Sequence, residues 1–415
     1  MRRLRLVFLL FAAAGCAREM SAPATLTSPA AATRTGGSVA YKTLYSFKAA
    51  ADGSGPTTAL VAMGDIFYGT TRSGGCASSG PCNCCGTVYS ITPSGSETVV
   101  YRFPGPPGGS GPEGNLLVSN GALYGTTFYG GLVKFRRQCA SEKGCGVVFS
   151  ADRNGTESTV YAFKGGNDGE NPAGGIIRGS FPARSGYYGT TATSGELTVF
   201  GTVFLVDWDG EATLHRFAGA PSDGRFPIGS PAIIEDRLFG MTAVGGADNL
   251  GAVFEVSVKR GGESNEKLLH SFIGSDGSDP AGGLVDINGV LYGVASTGGP
   301  HNSGVLFSIT STGSYHIVHA FRGSAQGDGA DPQSPPILVH GTTLYGTTYR
   351  GGTHDQGTVY EIDEHGNETV LYSFGPARDG VHPKAALLWH GGALYGTTVS
   401  GGGDAVGTVF ELTPP

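Results

Sequence analysis

Leu394-Tyr395-Gly396-Thr397-Thr398, followed by Gly401-Gly402 and then Gly407-Thr408-Val409-Phe410, decides the fold of this chain. Variants of it recur along all 415 residues. The Tyr-Gly step returns at Gly69, Gly125, Gly189, Gly293, Gly346 and Gly396, and as Phe239-Gly240 in the fourth unit. The Gly that opens the second half returns at Gly86, Gly146, Gly201, Gly251, Gly304, Gly357 and Gly407. A third signature alternates with these, an aromatic strand ending in Phe47, Phe103, Phe163, Phe217, Phe272, Phe321 or Phe374. Each signature occurs seven times, about 50 to 60 residues apart, in the range of propeller blades.

Each unit reads as four short strands bounded by turn residues. In the last one, Ala385–Trp389 is strand a, His390-Gly391-Gly392 a turn, Ala393–Thr398 strand b and Thr408–Leu412 strand c. Strand d is typified by Glu368–Phe374. Strands such as Thr87-Val88-Tyr89-Ser90-Ile91 are apolar on both faces, as expected of a sheet held between two neighbours. The chain opens on a lone d-type strand, about Ala40–Phe47, and ends after a c-type strand. A solenoid has no need of such a split unit, and no polar capping repeat is present. The expectation is therefore all-β: a seven-bladed β-propeller over residues 39–415, closed by an N-terminal strand completing the last blade.

The combination of Tyr-Gly-Thr-Thr, Gly-Gly and Gly-Thr-Val-Phe over roughly residues 40–413 resembles the bacterial choice-of-anchor tandem repeat GloVer-containing family. The resemblance implies a repeat body held at the cell surface by a variable anchor, and it brings no catalytic residues. Unit 3 departs most, with Gly195-Glu196 for the Gly-Gly pair, and units 4 and 5 carry Met241-Thr242 and Val294-Ala295 for the paired threonines.

The N-terminus reads as a targeting segment. Arg2, Arg3 and Arg5 precede the apolar run Leu6–Ala14, and Ala13-Ala14-Gly15-Cys16 is similar to a bacterial lipobox with Ala where Leu is usual. Residues 1–16 are read as a signal peptide with Cys16 as the lipid-attachment site, and 17–38 as a flexible tether. The alternative is an ordinary secretory signal. Ala17 after the cysteine points to the outer membrane or cell surface. A net charge of −7 argues against a nucleic-acid partner. No stretch has the roughly 20 apolar residues of a spanning helix, so the membrane is reached through the lipid alone. A monomer is expected.

With Cys16 lipidated, six cysteines remain: Cys76, Cys82, Cys84 and Cys85 in one b-to-c loop, Cys139 and Cys145 in the next. An even number in an exported chain reads as disulfides, and Cys139–Cys145 would close a small loop. Standard zinc spacing is absent from Cys82-Asn83-Cys84-Cys85. The d-to-a links carry Asp-Gly before Pro, as at Asp276-Gly277 with Pro280 and Asp328-Gly329 with Pro332. That pattern reads as a turn in which Asp caps the backbone two residues on. Asp279 and Asp331 add oxygens, but calcium needs six to eight, so neither metal nor cofactor is assigned. The spacing also differs from the Asp box of sialidase-type propellers. His215, His270 and His319 stand where other units have Tyr and read as packing.

Residues that break the repeat on the b-to-c and d-to-a links are the candidates for ligand binding. They are Arg72, Phe128, Tyr129, Lys134, Phe135, Arg136, Arg137, His301, Tyr349, Arg350, His354, Asp355, His382 and Asp404. Aromatics and cations around a shallow funnel suit a glycan or an envelope or extracellular protein. No nucleophile elbow, phosphate loop or zinc helix motif is present. The expected function is non-catalytic binding at the envelope. The alternatives are a propeller-type glycoside hydrolase or lyase, and a structural scaffold.

Overall fold

The structure, a computed structural model, describes residues 39–75, 86–131, 139, 143–181, 184–194, 200–258, 264–339, 341–375 and 377–415. The signal peptide, Cys16 and the tether lie outside these residues, as do Cys76, Cys82, Cys84, Cys85, Lys134, Phe135, Arg136, Arg137 and the Gly195-Glu196 pair. Among the described residues the chain is all-β, and no helix is long and apolar enough to cross a membrane.

The strands group as the sequence repeat dictates. Unit 1 is an antiparallel ladder of Val61–Met63, Ile66–Thr71, Thr87–Ile91 and Glu97–Arg102. The same a-b-c-d order returns in each later unit, up to Ala393–Ser400 and Thr408–Thr413. The first strand, Ala40–Ser46, pairs antiparallel with that last strand, Lys42 opposite Glu411 and Ser46 opposite Thr408. Units 4 and 5 are joined by one parallel bridge, Ser230 to Gly283.

Strand a departs from the expected continuous run. In unit 7 it begins earlier, at Val381–Pro383, breaks, and resumes at Leu388–His390. In units 4 and 5 the same break is a register shift within one longer strand, between Ile228 and Ala232 and between Ala281 and Val285. Proline cannot donate to a ladder, and the residues after it leave the sheet.

The motif residues are explained by what crosses them. The strand b glycine lies under the strand c aromatic: a Cβ on Gly125 would stand 2.8 Å from Phe149, and one on Gly293 2.7 Å from Phe307. No other residue leaves room for that ring. Each of these rings meets the final Phe of the preceding aromatic strand edge-on. The centroid pairs are Phe47–Tyr89 at 4.9 Å, Phe103–Phe149 at 5.0 Å, Phe163–Phe204 at 4.9 Å and Phe217–Phe254 at 5.0 Å. Phe272–Phe307 at 5.5 Å, Phe321–Tyr360 at 5.3 Å and Phe374–Phe410 at 5.4 Å continue the series. Edge-to-face pairing of this kind adds ~1 kcal/mol beyond area burial.

The second threonine bonds the threonine that opens strand c in units 1, 3, 6 and 7, as in Thr71–Thr87 and Thr398–Thr408, both 2.8 Å. In units 2, 6 and 7 the first reaches the next unit: the Thr126 hydroxyl donates to Gly174 O at 2.8 Å, that of Thr347 to Ala385 O at 3.1 Å, and that of Thr397 to Thr58 O at 3.4 Å. Where unit 4 lacks the pair, Met241 is buried in an apolar cluster instead. Apolar clusters lie between successive units, so that Val88 packs toward unit 2 while Tyr89 and Ile91 pack against Ala393, Tyr395 and Val409 of unit 7. This alternation is why strand c is apolar on both faces.

Candidate functional site

The broken a strands line one cavity of about 300 Å³. Every unit contributes the residue after its link proline: Thr57, Glu113, Ala173, Ile228, Ala281, Gln333 and Lys384. The framework residues agree from unit to unit, but these seven are of six types, only Ala173 and Ala281 being alike, and they range in size, polarity and charge.

The residue before each of those prolines is left-handed. Gly55 and Gly111 adopt this readily, but Asn171, Phe226, Asp279, Asp331 and His382 also sit at φ between 53° and 61°. Such a conformation is uncommon outside glycine and is most unusual for a bulky residue such as Phe226. It is held by the neighbouring unit. The backbone N–H groups of Asn171, Phe226, Asp279, Asp331 and His382 donate to Cys145, Phe200, Leu250, Ser303 and Gln356 carbonyls at 2.7 to 3.0 Å.

On units 5 to 7 these positions bring opposite charges together. Asp331 is hydrogen-bonded by Gln333 and lies in the field of Asp279, Arg350 and Lys384. Burial pushes its carboxyl up, Asp279 adds to that, and Gln333, Arg350 and Lys384 oppose it. The Ser296 hydroxyl donates to Asp279 at 3.3 Å. The His382 ring stacks on Tyr349 with centroids 4.6 Å apart, and burial followed by the Arg350 charge pushes its imidazole down. Across the lining, Arg72 pairs with Glu113 at 2.7 Å. The lining itself offers hydrogen-bond donors and acceptors of both charges in Arg72, Glu113, Asp279, Gln333 and Lys384, and the Tyr349–His382 stack, Arg350 and Asp331 adjoin it without lining it.

Arg72 thus lines the cavity, and Tyr349, Arg350 and His382 gather beside Asp331. Asp355 instead accepts from Gly351 N at 3.0 Å within its own loop, and His354 meets the Thr353 hydroxyl at 2.9 Å. His301 and Asp404 are exposed turn residues. Phe128 and Tyr129 pack edge to face at 4.9 Å, with the Lys143 ammonium 5.1 Å from the Tyr129 centroid. Cys139 and Cys145 are joined, their Cα atoms 5.3 Å apart.

The link Asp residues do cap turns, but upstream ones rather than the backbone two residues on. Asp52 accepts from Lys48 N at 2.7 Å and Asp328 from Arg322 N at 2.9 Å. Sequence reasoning passed over Glu113, Gln333 and Lys384, whose signal is variation after an invariant proline. It also passed over Arg225, whose guanidinium lies 4.2 Å from the Phe200 centroid and 4.5 Å from that of Phe226. A separate concavity is lined by Tyr124, Arg178, Tyr187 and Trp208, and Trp208 is 90% exposed.

No curated protein matches the sequence. Among solved structures, the chain is similar to a puromycin-hydrolyzing peptidase of Mycobacterium tuberculosis, at 13% identity and a TM-score of 0.48, over 89% of this chain and 54% of that one. It is similar to Trypanosoma rangeli sialidase in complex with sialic acid at 8% identity and 0.45, over 87% and 54%. For a luciferin-regenerating enzyme the values are 10% and 0.41, over 91% and 95%. The chain spans about half the length of the peptidase and of the sialidase. Likenesses this distant carry no argument for function. The repeat is more specific. Residues 31–195, 135–343 and 324–415 each match the Gloeobacter/Verrucomicrobia repeat, and the chain belongs to that family.

Proposed function

We propose that this protein is an exported, non-catalytic binding module. It is a closed seven-bladed β-propeller, anchored at the outer membrane or cell surface by a lipid on Cys16, that takes a glycan or a protein partner in the cavity. Closure is supported by the pairing of Ala40–Ser46 with Thr408–Thr413 and by the unit 7 contacts of Phe47 and Thr58. The binding reading is carried by one observation: the chain varies after each link proline, and those variable residues line one cavity. At about 300 Å³ it is at the small end of ligand pockets. Balanced charge beside the Tyr349–His382 stack favours a hydroxyl-rich ligand over a strongly charged one.

The test is a glycan array and an envelope-protein panel probed with wild type, Arg350→Ala and Lys384→Ala. The variants should bind the wild-type ligand ~10-fold or more weakly, the loss of one good polar contact. Undiminished binding by both would contradict the cavity as the site. A second reading, a carbohydrate-active enzyme, is favoured by the proximity of Asp279 and Asp331. Turnover of a bound glycan that Asp331→Asn abolishes would replace the non-catalytic reading with that one. Cys16→Ala should release the protein from membranes, and unchanged fractionation would refute the lipid anchor.

A further inference from the structure

Between adjacent units the link Asp meets the tyrosine or histidine of the aromatic strand and, in most seams, the glutamate that opens the next unit's d strand. In the tyrosine seams that carry the Asp the phenol donates to it, as Tyr161 to Asp168 at 2.8 Å and Tyr372 to Asp379 at 2.6 Å, whereas Tyr101, whose link has no Asp, donates to Glu157 at 3.2 Å. The histidine seams are chemically different. His319, Asp328 and Glu368 place a ring nitrogen and two carboxylate oxygens within 4.8 Å of one another, and His215, Asp223 and Glu266 do the same one pair of units earlier.

The His319 seam shows why this matters. His319 Nδ1 is 3.2 Å from Gly366 O. A carbonyl can only accept, so Nδ1 carries the proton and the neutral ring presents a lone pair at Nε2. That nitrogen is buried without a hydrogen-bond partner, 3.5 Å from Asp328 Oδ2. Glu368 Oε1 is likewise buried and unpartnered. A ring nitrogen and carboxylate oxygens therefore converge, and the His319 and Asp328 side chains are only 11% and 8% exposed. Such a set needs a proton or a cation among its members. Burial, then the hydrogen bond to Asp328 and the charge there, push the Glu368 carboxyl up to about 9, so without a metal it holds the proton that a bound cation would displace.

Hydrogen bonds from the backbone hold these side chains in place. The His319 ring is oriented by a backbone carbonyl through its other nitrogen, and Asp328 is fixed by the N–H groups of Arg322 at 2.9 Å and Gly329 at 2.5 Å. Asp223 is held in the same way by Ala218 N at 2.7 Å and Gly224 N at 2.6 Å. We propose that His319, Asp328 and Glu368, and their repeat His215, Asp223 and Glu266, are binding sites for a first-row divalent cation that joins adjacent units. One imidazole and two carboxylates suit zinc, with water in the remaining position. The intervening seam serves as an internal control: His270 contacts Asp276 at 2.9 Å but stacks on Tyr315, which stands where the others have Glu.

The experiment is zinc binding by the full chain, read as bound zinc after dialysis and as a shift in melting temperature. The variants are His319→Tyr and the double His215→Tyr/His319→Tyr. Tyrosine is the residue at Tyr45, Tyr101, Tyr161 and Tyr372, so the seam retains a native solution. The wild type should bind zinc and melt higher with it. The single variant should lose one equivalent and the double variant two, with affinity at those sites weakened by more than ~100-fold. Zinc held elsewhere, at the remaining cysteines for instance, appears equally in all three proteins and drops out of the difference. Glu266→Gln/Glu368→Gln repeats the test without touching the rings. No zinc on the wild type, or as much zinc on either double variant as on the wild type, would overturn the proposal.

Discussion

The ring of Phe410 crosses Gly396 so closely that a side chain on that glycine would collide with it, although the Gly396 backbone is ordinary for any residue. The glycine is required by packing and not by φ. Gly396→Ala should cost ~1–3 kcal/mol, the usual penalty of overpacking a filled core. Gly403→Ala, where a Cβ meets nothing within 4 Å and φ is not positive, should be nearly neutral. Denaturant unfolding of both variants checks the contrast, and equal costs would disprove the packing account.

The fully buried Phe374 sits edge-on to Phe410 across a seam. Phe374→Ala should lose about 3–5 kcal/mol. A loss under ~1 kcal/mol in the same unfolding measurement would mean that the seams do not hold the units together.

The framework was legible because each of its residues answers a local demand that repeats. Gly396 makes room for Phe410, and Thr398 bonds Thr408. Strand a was less legible. Lys384 and Glu113 look like ordinary solvated residues after a proline, and only the convergence of all seven links gives them a common cavity. His319 looked like packing because a sequence cannot show which ring nitrogen carries the proton. Gly366 O, 47 positions away, decides that.

Glu211 predicts a pH dependence. Burial, then its hydrogen bond to Asp168 and the charge there, push its carboxyl up to about 8. The folded chain keeps a proton that the unfolded chain releases above about 4.3. This contribution to stability is complete below that pH and is lost as pH rises to about 8. Glu211→Gln, which stays neutral, should flatten the fall in melting temperature over that range. An unchanged slope in calorimetry would sink the assignment.

Cys139 and Cys145 close a loop with a sequence separation of 6. Peptide mapping without reductant should recover them linked. Removing the bond in Cys139→Ser/Cys145→Ser should cost about 2 kcal/mol for a loop of that size. Recovery of both as free thiols in oxidised protein would contradict the pairing.

Everything proposed for the cavity depends on the first strand completing the last unit, because only then do seven links face one space. Hydrogen exchange tests this most directly. The amides of Ala40–Ser46 should be protected together with those of Thr408–Thr413 and open with them as one cooperative unit. Rapid exchange over 40–46 while 408–413 stays protected would show an open edge and contradict the closed ring.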